Sequence, residues 1–220
     1  MCIRDSSKRL RRSRIFGAMK PRLILKALRA FRAGRVGDAA AYKAAAGSAP
    51  AYPEVGARLA QLTDPFPRID VGALRALPAD TFGHAYARFM DENRLSPLLV
   101  SPAVAEELAR INLLAVRYTI LHDAFHVLLG YDASLAGELG VWTFVARQHY
   151  CVTHRRAAWA ARLLYPLWAP TRHAALRAAR LRAEALAPVV PSLIAEPIET
   201  WWALSLAKLR ERLRISPAVA

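Results

Sequence analysis

Apolar side chains recur along most of this chain at spacings of three, four and seven and only rarely in strict alternation, the pattern of amphipathic helices rather than strands. Phe82, Ala85, Tyr86 and Phe89 make one such stripe. Upstream, residues 22–35 mix Leu23, Leu25, Leu28 and Phe31 with Arg22, Lys26, Arg29 and Arg32, predicting a short basic helix that either lies on anionic lipid or shows water a solvated face. Residues 38–47 and 54–63 predict two further helices, broken at 48–53 and at Asp64-Pro65-Phe66-Pro67, and residues 71–77 lead into the aromatic stripe. Ser101 and Pro102 predict the N-cap and first turn of a long helix running through Glu106, Leu113 and Tyr118 to His126. Gly130 ends it, and Asp132 or Ser134 caps a successor over residues 135–149. In that successor Gly137 and Gly140 cost helix propensity and predict close approach of a neighbouring helix or a bulky ligand. Arginine-rich helix follows over 155–186 with Trp159 and Trp168 interleaved, either solvated or covering a headgroup zone. A terminal helix over 197–213 is expected to pack Trp201 and Trp202 back on the core.

Composition narrows this to an all-α, single-domain multi-helix bundle: 220 residues suffice for one well-buried core, Ala, Leu and Arg dominate, and 14 prolines punctuate the helices. Three segments are expected. Residues 1–18 read as a non-native leader ahead of Met19, or else as an organellar transit peptide, 19–37 as a basic amphipathic segment, and 38–220 as the helical domain. Charge is uneven: residues 1–37 hold 12 of the 32 Lys and Arg and one acid, so +11 of the net +15 sits there. The body is therefore not a basic nucleic-acid-binding domain. Cys2 and Cys151 form no metal or disulfide pattern, and Cys151 reads as an inert thiol. No run reaches 18 uninterrupted apolar residues, which disfavours a transmembrane span, and no secretory leader is evident.

The candidate chemistry lies in HDAFHVLLGYDASLAGE, from His122 to Glu138. His122 and His126 are four apart, so both imidazoles can leave one helix face toward a single cation, while Asp123 and Glu138 offer oxygens, Glu138 from a second helix. This predicts a helix-turn-helix metal or acid/base site. The plain alternative is a pair of core histidines satisfied by backbone carbonyls. Asp123 is also a candidate base. The donor set suits zinc, the metal expected first, and it also resembles a two-histidine, carboxylate site that binds iron. Arg117 and Tyr118, one turn above His122 and Asp123, are candidates to orient a motif side chain or else to pair elsewhere. His84, His149, His154 and His173 belong to no motif, and surface or core roles are expected of them.

Four stretches together resemble the coenzyme Q (ubiquinone) biosynthesis protein 4 family: LPADTFGHAYARFMDENRLSPLLV, RYTILHDAFHVLLGY, GELGV and EPIETWWALSLAKLRERLRI. They span roughly residues 22–217, with the family's HDxxH, eleven residues, Glu pattern at His122, Asp123, His126 and Glu138 and its TFG-x-x-Y-x-x-FM block at Thr81, Phe82, Gly83, Tyr86, Phe89 and Met90. The chain departs after the glutamate, where an acidic segment like KWFE is replaced by acid-free VWTFVARQHYC. The resemblance implies oxidative removal of the C1 carboxylate, with hydroxylation there, from a polyprenylated 4-hydroxybenzoate-derived ring. It also implies a divalent metal on the four motif residues, with His122 and Asp123 catalytic. A non-catalytic role is implied as well, holding the prenylated quinone precursor and docking other ubiquinone biosynthesis proteins. The expected setting is a membrane surface, the bacterial inner membrane from the cytoplasm or the mitochondrial inner membrane from the matrix, with self-association left open.

Overall fold

The computed structural model describes residues 20–216, which form ten α-helices and, among the described residues, no sheet. The leader at 1–18 lies outside them. In chain order the helices are α1 (Pro21–Arg32), α2 (Val36–Gly47), α3 (Pro53–Leu59), α4 (Val71–Arg75), α5 (Phe82–Glu92), α6 (Pro102–Leu129), α7 (Leu135–Arg147), α8 (Val152–Trp168), α9 (His173–Leu186) and α10 (Leu206–Arg212). Single 3-10 turns stand at Pro170–Arg172, Leu193–Ala195 and Ile198–Thr200.

The axis of the bundle is α6, whose Leu108, Leu114, Leu121, Phe125 and Leu128 are fully buried. On one side α2 packs against it and carries α1, the small Ala27, Ala30, Ala41 and Ala45 lying buried where these helices meet. α7 leans on the other end of α6 and is flanked by α8 and α9. The expected long helix is interrupted once. Asn112 leaves helical geometry, donates from Nδ2 to the carbonyls of Ser48 and Ala49 at 3.2 and 3.1 Å, and accepts at Oδ1 from the Ala115 amide at 3.2 Å. It ends one helix and caps the next in place. Ser101 stands at the N-cap position without capping: its amide and hydroxyl both donate to buried Asp38.

A single terminal helix over 197–213 is not what forms. Residues 201–204 form a turn beside the start of α5, the Leu204 amide closing on the Trp201 carbonyl at 2.9 Å, and the amides of Phe82 and Gly83, orphaned in any first helical turn, donate to the carbonyls of Leu204 and Trp202, both at 2.8 Å. Carbonyls given to α5 are not given to a helix of their own, so within this stretch only Leu206–Arg212 is α-helical, with a 3-10 turn at Ile198–Thr200 ahead of it. Trp202 stacks on Phe82 at 4.6 Å, so the expected return to the core holds. No helix among the described residues is long and apolar enough to cross a membrane.

Candidate metal centre

α6 ends in a Schellman-type turn. Gly130 takes the left-handed conformation (φ 72°), the Tyr131 amide reaches back to the His126 carbonyl at 2.9 Å and the Gly130 amide to that of Val127 at 3.3 Å. Four residues later Ser134 caps α7 by accepting from the Gly137 amide at 3.3 Å, while Asp132 accepts from the Ser134 amide and hydroxyl. Gly137 and Gly140 do not admit a neighbouring helix or a ligand. A Cβ on Gly137 would strike the Asp132 carbonyl and one on Gly140 the Tyr131 ring, so both serve to press α7 onto this turn.

The turn brings Glu138 against the two histidines. His122 Nε2 lies 3.5 Å from one Glu138 oxygen, His126 Nε2 lies 3.4 Å from the other, and the two Nε2 atoms are 3.3 Å apart. Ligand bonds of 2.0–2.1 Å at tetrahedral angles put donor atoms about 3.4 Å apart, so the two Nε2 atoms already stand at ligand spacing and each stands near it from one of the two Glu138 oxygens; with one donor from each residue within 4.8 Å of the others, the group can supply three ligands to a small cation. The tautomers agree with that use. His126 Nδ1 faces the Asp132 carbonyl at 2.9 Å, which has no hydrogen to give, so Nδ1 donates and the Nε2 lone pair points into the cluster. His122 Nδ1 lies 3.1 Å from the Tyr118 hydroxyl, which can accept in the same sense. His126 is 1% exposed and stacks on Phe89 at 5.6 Å, so the aromatic stripe of α5 forms one wall of the site. Without a metal, a second proton at Nε2 lets either ring donate to Glu138, and although burial alone would raise that carboxyl, hydrogen bonds and charge from His122 and His126 in this form hold it down to about 2.

Of the four expected ligands, three converge. His122, His126 and Glu138 have donor atoms within 4.8 Å of one another, the one such group among the described residues, and Asp123 is outside it. The reason is the helix itself: a residue next to His122 is turned by about 100° around α6. Asp123 lies beside the cluster instead, its carboxyl raised by burial and by Glu138, with His122 and His126 pulling the other way. Tyr118 orients a motif side chain, as one of its two expectations had it. Arg117 pairs elsewhere, with Glu199 at 2.8 Å and with carbonyls on three other residues. His149 is exposed. His154 is buried, its ring 4.7 Å from that of Tyr118, Nδ1 without a hydrogen-bond partner and its pKa lowered to about 4 by burial and by His122. Nothing in the spacing of His154 announced that it would lie behind the site. Cys151 is buried and its thiol pushed up by burial, as an inert thiol should be. A cavity of about 840 Å³ lies away from all this, lined by the α1–α2 turn, residues 64–69 and 96–102, and Ile120.

The chain matches the family described as "Coenzyme Q (ubiquinone) biosynthesis protein Coq4" over residues 66–218. It is 38% identical over 94 residues to the mitochondrial ubiquinone biosynthesis protein COQ4 homolog of Bos taurus, covering 40% of this chain and 36% of that protein. With the Rattus norvegicus protein of the same description it shares 29% identity over 180 residues, 72% of this chain and 61% of the other. The matched stretches thus span between a third and three-fifths of these relatives' length. Among solved structures, a candidate ubiquinone biosynthesis protein from Nostoc punctiforme superposes with a TM-score of 0.56 at 21% identity, over 88% of this chain and 95% of that one, a likeness of fold.

Proposed function

The chain belongs to the coenzyme Q (ubiquinone) biosynthesis protein Coq4 family, and on that premise we propose that it acts in ubiquinone biosynthesis as a metal-dependent enzyme. The proposed reaction is oxidative decarboxylation, loss of the C1 carboxylate with hydroxylation at that carbon, of a polyprenylated 4-hydroxybenzoate-derived ring, with an external oxidant as co-reactant. Ring and prenyl tail together call for work at a membrane surface among other proteins of the same biosynthesis.

The observation that carries the reading is the convergence of His122, His126 and Glu138, the two Nε2 atoms 3.3 Å apart and each within 3.5 Å of one Glu138 oxygen, with both imidazoles held through Nδ1. His122, His126 and Glu138 would hold a divalent ion, zinc or iron. Such an ion, when bound, supplies a Lewis acid for the substrate's carboxylate or phenolate. The chain's own groups do the remainder. Asp123, its carboxyl raised beside the cluster, is suited to take and return a phenol proton. Phe89 offers a ring face against which an aromatic substrate can lie.

Elemental analysis of purified protein tests the site. One divalent ion per chain is expected, lost in His126→Ala, whereas full retention in that variant returns the histidines to a structural role. In a strain lacking the protein, a precursor still bearing its C1 carboxylate should accumulate and be relieved by the native chain but not by Glu138→Gln or Asp123→Asn. Restoration of quinone to native levels by both variants would leave a non-catalytic organiser of the biosynthetic proteins as the role.

A further inference from the structure

The α8–α9 hairpin presents large apolar side chains to solvent rather than to the core. On α8, Trp159, Leu163 and Leu167 recur at i, i+4 and i+8 and are 65%, 48% and 74% exposed, with Trp168 at 67%. Their inward counterparts are His154 and Ala161, both buried, so the helix has two apolar faces of which the protein covers one. Such a face in water needs an occupant.

Charge selects among occupants. The 45 residues between Glu138 and Glu184 contain no carboxylate and eight arginines, of which Arg155, Arg162, Arg172 and Arg177 are exposed along the hairpin. A second copy of this chain would bring two acid-free, arginine-bearing faces together, which like-charge repulsion opposes. An anionic bilayer meets both halves of the pattern: tryptophan rings settle at the headgroup boundary, leucines enter the acyl region, and arginines reach the phosphates. Position supplies the rest. Trp168 stacks with Tyr165 at 6.0 Å, and half-buried Tyr165 joins the outer face to the buried cluster of Leu139, Ala161 and Leu176 and lies within electrostatic reach of Glu138.

We propose that the outer face of α8 is the surface that enters the headgroup zone of an anionic membrane, and that it sets the Glu138 side of the histidine cluster against the bilayer. Expectation from sequence had two candidates for lipid contact, residues 155–186, to which this face belongs, and the basic helix α1, where Leu25, Leu28 and Phe31 are also exposed. On α1, however, Lys26 is tied to Glu107 at 2.6 Å, no tryptophan is present, and the polar contacts from α1 and α2 fall on Ser101 and Glu107, at the opposite end of α6 from His122 and His126. The inference goes beyond the proposed chemistry, since neither metal nor reaction enters it.

Co-sedimentation of the full chain with vesicles of phosphatidylcholine and phosphatidylglycerol tests it. Leu167→Asp with Trp168→Ser should lower partitioning by more than about tenfold, equal to about 1.4 kcal/mol and less than two large apolar side chains contribute when buried. Native binding should weaken with salt and be weaker on phosphatidylcholine alone. In the native protein, bromine-labelled lipid should quench tryptophan fluorescence, and Trp159→Phe with Trp168→Phe should abolish that quenching while binding persists. The surface is overturned if the Leu167 and Trp168 variant falls by less than tenfold, if quenching survives the phenylalanine variant, or if the first variant merely dissociates a lipid-free dimer. Its metal content should equal that of the native chain. Failure here with metal retained, or metal loss from His126→Ala with vesicle binding intact, tells this inference apart from the proposed chemistry.

Discussion

Arg117 and His122 leave the same helix five residues apart, one into a buried polar cluster and the other into a partly buried one, and the clusters are opposites. Around Arg117, every nitrogen of a side chain with 0% exposure donates: Nε to the Ile194 carbonyl, Nη1 to that of Asp64, Nη2 to that of Glu196 and to the Glu199 carboxylate. Around His122 the polar atoms are spent only on their outer sides. Both Nδ1 atoms are engaged, while two ring nitrogens and a carboxylate turn toward one point and each other. A network whose valences are closed is a fastening. One whose valences converge on a point is a place for something else.

The sharpest break in that comparison comes from closing the wrong cluster. Arg117→Ala should leave the Glu199 charge and three carbonyls without their donor and destabilise the protein by about 3–5 kcal/mol in urea unfolding, whereas His122→Ala without metal should cost far less. If the two costs match, the distinction between fastening and site fails.

Next in size is a buried polar group of neither kind. His154, with its pKa lowered to about 4, stays neutral in the folded chain while the unfolded chain takes up a proton below about 6.5. Its share of stability is therefore whole above pH 6.5 and is lost as pH falls from there toward 4, about 3 kcal/mol over that window. His154→Phe, set among the rings of Tyr118, Trp142 and Tyr150, should flatten the pH dependence by that amount in denaturation measured at pH 7 and near pH 4.

Smaller again, Tyr118→Phe removes the hydroxyl beside His122 Nδ1 and should weaken metal binding about 10- to 100-fold in chelator competition, with apo stability changed by about 1 kcal/mol or less. Smallest is the cap. Ser134→Ala should cost about 1 kcal/mol of stability and loosen metal binding only through Glu138, readable as a lowered melting temperature in the apo protein.

What sequence could show follows the same division. The His122, His126 and Glu138 trio was legible because its members are local: one helical turn, one glycine stop, one serine cap. Asp123, expected with them from the motif, stands outside the converging group because its place next to His122 turns it about 100° around α6. The Arg117 fastening reaches Glu199 across 82 residues and takes three carbonyls, which no side-chain pattern announces. The C-terminal segment reads as helix because its own residues favour one. It is broken by a turn at residues 201–204, whose carbonyls meet amides of α5 that need them.

The turn between α6 and α7 can finally be regarded as a ruler. The Asp132 carbonyl holds His126 Nδ1, and the same carbonyl bears on Gly137, next to Glu138, so one peptide unit gauges both sides of the cluster. The eleven residues from Val127 to Gly137 are then a machined length rather than a spacer. One residue added within α7 ahead of Glu138 would swing its carboxylate by about 100° around the helix, and one added before Asp132 would pull the carbonyl off His126. In either case every donor survives while the gap they share does not, so tolerance to substitution along this turn should far exceed tolerance to any change in its count.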